Sequence, residues 1–430
     1  MSTTISSTIR RFADDRSGNF ALATASAIVV VLMAVGTALN VGAMVSAKSR
    51  IRNALDAALT STARDLTTGK VAEKDARAAV ERFLSANQGN GFGGDIRLDT
   101  LTVDRTAKTL TGNATVQTPI VFPMFSGVAP DRLGVESAAA YSDTKIEVSM
   151  VLDVTGSMKG TKIADLRTAA KNAVGLFLDG QDPKDPRVRI ALVPYATAVN
   201  TGSLANTVYI ETKGGSDVPP GLSDPRLVVA APDNCATERK VKSGVMDFSD
   251  NGPETAMVNR DDRLGFCPSA ALMPLTADKK ALAGRIDSFI VNGATAGHIG
   301  IQWGRYLLSP KWKDVLPTSA RPAGYKDKAI AKYAIIMTDG EFNTAFVGDK
   351  GAGASSGSAV TLCDAMQDDG VEVFTIGFML TEANAKATMK ACASADTGRV
   401  RHHYEAADGA ALDAAFKEIA ANIEKLAITK

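Results

Sequence analysis

The stretch Ile146-Glu-Val-Ser-Met-Val-Leu-Asp-Val-Thr-Gly-Ser157 decides the fold of this chain. Its first half is an apolar run that predicts a buried strand, and a helical pattern follows at Lys162–Leu178. Where the strand stops, Asp153, Thr155 and Ser157 carry oxygen atoms at alternate positions, and the glycine between the last two allows a tight turn. Because hard cations such as Mg²⁺ require oxygen ligands, the stretch predicts an α/β unit with metal-binding residues at a strand end.

The same alternation of strands and helices continues to the end of the chain. Strands are predicted at Val188–Val193, Tyr333–Met337 and Val371–Phe378, and helices at Ser358–Gln367, Glu382–Ala393 and Ala410–Leu426. This order predicts a mostly parallel sheet that is covered by helices on both faces. Ligands of such sheets bind beyond the carboxyl ends of the strands.

A second strand ends in Thr338-Asp339-Gly340, which places Asp339 at the same sheet edge as Asp153. Between them, Thr295 precedes a predicted helix. Three glycines share one face of that helix, which predicts that it approaches its neighbour closely. A capped helix start and an Asp-Gly turn are the simpler interpretations of the two aspartates. Two such strand ends with a threonine between them favour a metal site.

Asp-x-Thr-x-Ser, a loop threonine and Thr-Asp-Gly together resemble the metal-ion-dependent adhesion site of von Willebrand factor A-type (vWA) domains. The resemblance implies a Rossmann-like, doubly wound fold that binds partner proteins and is not an enzyme. It implies hydroxyl ligands from Ser157, Thr155 and Thr295, with Asp153 and Asp339 acting directly or through water. The implied ion is Mg²⁺, or Mn²⁺ or Ca²⁺ in its place.

The N-terminal part contains an uncharged stretch, residues 17–47, that is long enough to cross a bilayer as a helix. A cleaved signal peptide has a shorter apolar region, so we expect a retained transmembrane anchor at 18–47 and a cytoplasmic tail at 1–17. Positive charges on the two sides are nearly balanced and do not decide the orientation.

The remainder is predicted to form two parts, a helical and small β module at 48–142 and a vWA domain at 143–430. A stripe of apolar residues at four-residue spacing (Ile51, Leu55, Leu59, Ala63) predicts a helix at the start of the first part. A hairpin is predicted around residues 104–108. The stretch at about 201–275 is rich in Gly, Pro, Asp and Asn and is interpreted as a loop-rich insertion.

Four cysteines, Cys235, Cys267, Cys363 and Cys392, permit three pairings and include no C-x-x-C pair. The first two bracket the insertion, and the last two lie on predicted helices that flank one strand. We therefore expect the disulfides Cys235–Cys267 and Cys363–Cys392, which would place everything after the anchor outside the cytoplasm. Four buried thiols are the alternative.

The chain as a whole is similar to TadG-like proteins of the bacterial Tad (tight adherence, Flp) pilus assembly systems. The similarity lies in Arg16-Ser-Gly18, Ala54-Leu-Asp-Ala-Ala-Leu59, Gly300-Ile-Gln-Trp-Gly-Arg-Tyr-Leu-Leu-Ser-Pro310 and the region Cys363 to Phe378. It implies a single-pass inner-membrane protein with its bulk in the periplasm and with other pilus assembly or envelope proteins as partners. Related pseudopilins are cut after a Gly with Glu five residues on; Ala23 stands at that position here and counts against such processing.

Other functions find little support in the sequence. The net charge is +1, and basic and acidic residues are interleaved along the chain, so the sequence shows no basic patch of the kind that binds nucleic acid. No small-molecule substrate is indicated. Adjacent His402 and His403 point to opposite faces of a predicted strand, and His298 is expected on a helix surface. The rival hypotheses are a vWA adhesin or sensor of another envelope complex and a metal-dependent hydrolase. Thr155 stands where the second aspartate of an aspartyl phosphoryl-transfer site is expected, which counts against phosphoryl transfer through Asp153 as a nucleophile.

Overall fold

The computed structural model describes residues 19–87, 96–122, 130, 132–182, 185–207, 209–211, 234–240, 245–253, 257–261, 267–346, 351–398 and 400–429. The expected cytoplasmic tail and much of the expected insertion lie outside these residues. The chain divides into two compact units, residues 1–63 with 73–140 and residues 64–72 with 141–430.

The first unit contains most of one continuous helix, α1 (Asn19–Thr67), of 49 residues. Ile51, Leu55 and Leu59 are fully buried, as their four-residue spacing predicts. The preceding part is different, since apolar residues such as Val30 and Val31 are mostly exposed. Within the described residues, α1 is the one helix long and apolar enough to cross a membrane.

A short helix and a three-stranded antiparallel sheet complete the first unit. The helix is α2 (Ala76–Ala86), and the strands are β1 (Arg97–Asp104), β2 (Thr109–Gln117) and β3 (Arg132–Ala140), in the order β1-β2-β3. The Asp104 side chain accepts hydrogen bonds from the N–H groups of Thr106 and Ala107 at 2.8 and 2.9 Å. These bonds close the turn between β1 and β2, so the predicted hairpin is confirmed.

The second unit alternates strands and helices along the chain. In order, its elements are β4 (Lys145–Asp153), α3 (Thr161–Leu178), β5 (Val188–Tyr195), β6 (Val199–Asn200), β7 (Tyr209–Glu211), β8 (Cys235–Ala236), β9 (Arg239–Lys240), β10 (Met257–Asp261), β11 (Met273–Thr276), α4 (Lys279–Asp287), α5 (Gly297–Tyr306), β12 (Ile330–Thr338), α6 (Ala352–Asp368), β13 (Glu372–Phe378), α7 (Ala383–Cys392), β14 (His403–Ala406) and α8 (Gly409–Thr429).

The main sheet of this unit has the order β14-β13-β12-β4-β5, and all these neighbours pair in parallel. The short strands β6, β8 and β11 extend it beyond β5 with antiparallel pairing. The described part of the insertion adds a small separate sheet, β7-β10-β9.

Helices cover both faces of the sheet. Leu166 of α3, Leu282 of α4 and Phe416 of α8 belong to one buried apolar cluster. Trp303 of α5 and Leu362 of α6 belong to the other, on the opposite face. The predicted fold class, a doubly wound and mostly parallel α/β sheet, is confirmed.

Helix α5 lies directly on the sheet because its glycines leave room for the neighbouring side chains. A Cβ atom at Gly300 would lie 2.7 Å from the ring of Tyr195, and one at Gly304 would lie 2.6 Å from Val151. The close approach predicted from the glycine spacing is confirmed.

Two disulfides are present in the second unit, with the pairing expected from the sequence. Cys363 of α6 pairs with Cys392 of α7, with Cα atoms 5.1 Å apart, and so joins the helices on either side of β13. Cys235 of β8 pairs with Cys267, with Cα atoms 5.7 Å apart. The second bond ties the described part of the insertion to the edge of the main sheet.

Candidate metal centre

Asp153 ends β4 and is fully buried. Its Oδ1 atom accepts a hydrogen bond from the Thr155 N–H at 2.8 Å, and its Oδ2 atom accepts one from the Thr338 hydroxyl at 2.7 Å. The Tyr195 hydroxyl lies 3.3 Å from the same Oδ2. Burial, together with the nearby charge of Asp339, raises the pKa of Asp153 to about 6. A cation beside this carboxylate would therefore stabilise its charged form.

Three more of the expected ligands form a hydrogen-bonded chain beside Asp153. The hydroxyls of Thr155 and Ser157 lie 2.8 Å apart, and the Ser157 hydroxyl donates to Asp339 Oδ1 at 2.5 Å. Asp339 follows β12, which pairs with β4 in parallel, so both strands deliver their aspartates to one edge. The structure thus brings together four of the five residues expected from the sequence.

Thr295, the fifth residue, reaches this edge on an adjacent loop. The Gly156 N–H donates to the carbonyl of Gly293 at 3.0 Å, which holds the two loops together. The Thr295 N–H donates to the side-chain oxygen of Asn343 at 3.0 Å, and its carbonyl accepts from the Asn343 N–H at 2.8 Å. Within the described part of the chain, no hydrogen bond joins the Thr295 hydroxyl to the other four residues.

Sequence reasoning missed three residues that contact the aspartates. Lys162, in the first turn of α3, places its Nζ atom 2.7 Å from Asp339 Oδ2. Thr338 and Tyr195 contact Asp153, and burial raises the pKa of Tyr195 well above its usual value, which keeps the hydroxyl protonated as a donor. Tyr195 ends β5, beside β4, so the parallel strand order was a signal that could have identified it.

The donor set fits a hard divalent cation. The assembled side chains offer only oxygen atoms, from two carboxylates and two hydroxyls. The described residues contain no group of three or more His, Cys, Asp or Glu side chains that could hold a metal. A site at this edge therefore depends on hydroxyl oxygens and suits Mg²⁺-like ions better than thiophilic ones.

His298 is fully buried, so its expected position on a helix surface is wrong. Its Nδ1 atom lies 2.8 Å from the Ser355 hydroxyl and its Nε2 atom 2.9 Å from Glu238 Oε1. The reason is that α5 is enclosed between the sheet and α6 and has no solvent face. Because Ser355 and Glu238 are also fully buried, this Ser-His-Glu set has no access to a substrate.

His402 and His403 have separate partners, in agreement with the opposite directions predicted for them. His402 Nε2 lies 2.8 Å from Glu372, and His403 Nδ1 lies 2.9 Å from the Thr375 hydroxyl. In these contacts the two imidazole rings have different partners and are not arranged to bind one metal ion together.

The N-terminal part of the chain, residues 18–65, matches the family model described as putative Flp pilus-assembly TadE/G-like. The match covers most of α1 and confirms the TadG-like resemblance for this segment. No curated protein matches the chain.

Solved structures similar to the chain include two from bacterial pili. The pilus adhesin SpaC from Lactobacillus rhamnosus GG is 14% identical, with a TM-score of 0.38, over 79% of this chain and 36% of the SpaC chain. The vWF domain of the type V pili tip protein Mfa5 from Porphyromonas gingivalis is 14% identical, with a TM-score of 0.38, over 65% of this chain and 95% of that domain.

A third similar structure is proximal thread matrix protein 1 from the mussel byssus, with a zinc-occupied MIDAS motif. It is 14% identical, with a TM-score of 0.32, over 67% of this chain and 47% of the mussel protein. The chain spans about a third of the length of the SpaC adhesin. Likeness at this level does not establish a shared function, and the chemistry rests on the residues at the sheet edge.

Proposed function

We propose that this chain is a membrane-anchored component of Tad/Flp-type pilus assembly whose vWA unit binds a partner protein through a divalent cation. The observation that carries the proposal is the hydrogen-bonded set of Asp153, Thr155, Ser157 and Asp339 at one edge of a parallel sheet. The family match of residues 18–65 supports the pilus assembly context.

The residues that would hold the ion are the hydroxyls of Thr155, Ser157 and Thr295, with Asp153 and Asp339 acting directly or through water. Mg²⁺ keeps part of its coordination shell as water, and a carboxylate from a partner can replace one of these waters. Ser157 is exposed, so such a carboxylate can reach the site from solvent. Mg²⁺ is the proposed ion, with Mn²⁺ or Ca²⁺ as alternatives.

A cation that binds Asp339 through Oδ2 would displace the ammonium group of Lys162, which contacts that oxygen. Glu382, before α7, is a suitable second partner. Its pKa is lowered, first by a hydrogen bond from the Thr381 hydroxyl and, to a smaller degree, by the charge of Lys162. The displaced ammonium group would then remain paired with a carboxylate close to the site.

The proposed location is the bacterial inner membrane, with α1 as a single-pass anchor and the bulk of the chain in the periplasm. The apolar exposed half of α1 supports the anchor. The two disulfides suit an oxidising compartment and support the periplasmic side. The proposed role is binding and not catalysis, since the Ser355-His298-Glu238 set is buried.

Affinity capture from detergent-solubilised native membranes tests the proposal, with the full chain as bait. The wild-type chain should retain pilus assembly or other envelope proteins in Mg²⁺ and release them in EDTA. The Asp153→Ala chain should retain none of them in either buffer. Asp287→Ala is the matched control, because Asp287 is an exposed surface aspartate that pairs only with Lys171 among the described residues. Capture that is unaffected by both EDTA and Asp153→Ala would overturn the proposal.

A further inference from the structure

Asn40 is a polar residue within the apolar part of α1, and it is 5% exposed. Its Oδ1 atom accepts hydrogen bonds from the N–H groups of Val121 and Phe122, both at 2.9 Å. Its Nδ2 atom donates to the carbonyl of Phe122 at 3.1 Å. One side chain of the helix thus binds the backbone of the segment that follows β2.

These hydrogen bonds fix where the helix can leave a bilayer. Irregular backbone does not lie against lipid in the hydrocarbon core, because its polar groups would lack partners there. If α1 spans a bilayer, Asn40 therefore lies at the membrane surface or beyond it. The helix before it, residues 19–39, is about 31 Å long at 1.5 Å per residue, which matches a hydrocarbon core of about 30 Å.

The segment bound by Asn40 presents apolar side chains at the same level. Ile120 is 37% exposed and Val121 is 56% exposed. The hydroxyl of Thr118 donates to the carbonyl of Pro130 and closes the base of this segment. No charged residue occurs in the sequence between Lys108 and Asp131. Nothing in the composition of the segment opposes contact with lipid.

We propose that Ile120 and Val121 form a second membrane contact, inserted at the boundary between headgroups and acyl chains beside the point where α1 leaves the bilayer. Asn40 is the positioning residue that holds this segment against the helix. The occupant is lipid, because the exposed side chains continue the apolar surface of the helix, to which Val35 and Leu39 contribute. The inference rests on the proposed membrane anchor.

Depth-dependent fluorescence quenching tests this contact. The full chain carrying Val121→Trp is reconstituted into vesicles of phosphatidylcholine and phosphatidylglycerol at a ratio of 3:1, with or without brominated acyl chains. The chain's own tryptophans, Trp303 and Trp312, are fully buried in the second unit and give a constant background. Thr106→Trp is the control, since Thr106 lies in the β1–β2 turn, about 30 Å away along β2.

We expect brominated lipid to quench the added emission of Val121→Trp several times more strongly than that of Thr106→Trp. Adding Asn40→Leu to the Val121→Trp chain should remove most of this quenching. Thr37→Val, one turn earlier on α1, should leave it unchanged, because the Thr37 hydroxyl bonds only to the carbonyl of Met33 within the described chain.

The outcomes separate this inference from the anchor on which it rests. Equal, weak quenching at positions 121 and 106 in protein that resists carbonate extraction would overturn the second contact and leave the anchor intact. Quenching at 121 that survives Asn40→Leu would overturn the role of Asn40. Release of the wild-type chain from the vesicles by carbonate would overturn the anchor and the contact together.

Discussion

The ammonium group of Lys162 lies 2.7 Å from Oδ2 of Asp339, so the candidate metal centre already contains a positive charge supplied by the chain itself. The carboxylate of Asp339 has no exposed surface, whereas the lysine side chain is 25% exposed. A divalent cation bound to this oxygen would displace the ammonium group. The lysine would then compete with the cation and lower its affinity below the value that the oxygen ligands alone would give.

Replacing Lys162 by Met removes the competing charge and keeps the length of the side chain. A hydrogen bond to a charged group contributes about 1.5–3 kcal/mol, and partial exposure reduces this value. We therefore expect Lys162→Met to bind Mg²⁺ roughly fivefold to tenfold more tightly, as measured by titration calorimetry. Lys159→Met, at an exposed lysine in the loop before α3, should match the wild type. Unchanged or weaker binding by Lys162→Met would exclude the competition.

Asp153→Asn should abolish metal binding and at the same time stabilise the metal-free chain. Because the folded-state pKa of Asp153 is raised from 3.8 to about 6, its contribution to stability is most favourable below pH 3.8 and is lost as the pH rises through 6. The asparagine avoids this loss, which corresponds to roughly 1–3 kcal/mol at pH 8. Urea unfolding in EDTA, followed by the fluorescence of Trp303 and Trp312, measures the gain. The gain in stability of Asp153→Asn over the wild type should be smaller at pH 4. A loss of stability that is the same at all pH values would contradict the prediction.

Removing the metal should leave the second unit folded. Its core is built from the apolar faces of the sheet and the helices on both sides, and it does not depend on an ion as a zinc finger does. Circular dichroism should be the same in EDTA and in Mg²⁺. Stability should rise by about 2.7 kcal/mol at a free metal concentration 100 times the Kd. Loss of the helical signal in EDTA would show that the ion is structural.

Gly300→Ala should destabilise the second unit by about 1–3 kcal/mol, because its new methyl group would overlap the ring of Tyr195. It should also weaken Mg²⁺ binding, since Tyr195 contacts Asp153. Gly284→Ala on α4 is a matched control with open space around the new Cβ atom. That substitution should be neutral or stabilising by up to about 1 kcal/mol, as expected for alanine in a helix. Equal stability of the two variants would contradict the close packing of α5.

The edge of the sheet could be predicted from the sequence because local patterns fix it. An apolar run followed by Asp153 and another followed by Asp339 predict two buried parallel strands, and parallel strands bring their carboxyl ends to the same edge. The glycine spacing of α5 predicted its close approach to the sheet for the same kind of reason. These features depend on residues within a few positions of each other.

Only the tertiary structure determined which groups that are distant in the sequence form hydrogen bonds with each other. Lys162 and Asp339 are 177 positions apart, His298 and Glu238 are 60 apart, and Asn40 and Val121 are 81 apart. Glu238 lies in the insertion, and Val121 lies in a segment after β2; neither stretch has a periodic pattern that predicts its neighbours. Periodicity in a sequence specifies which face of an element is buried. The packing of whole elements decides which group a polar side chain on that face will contact.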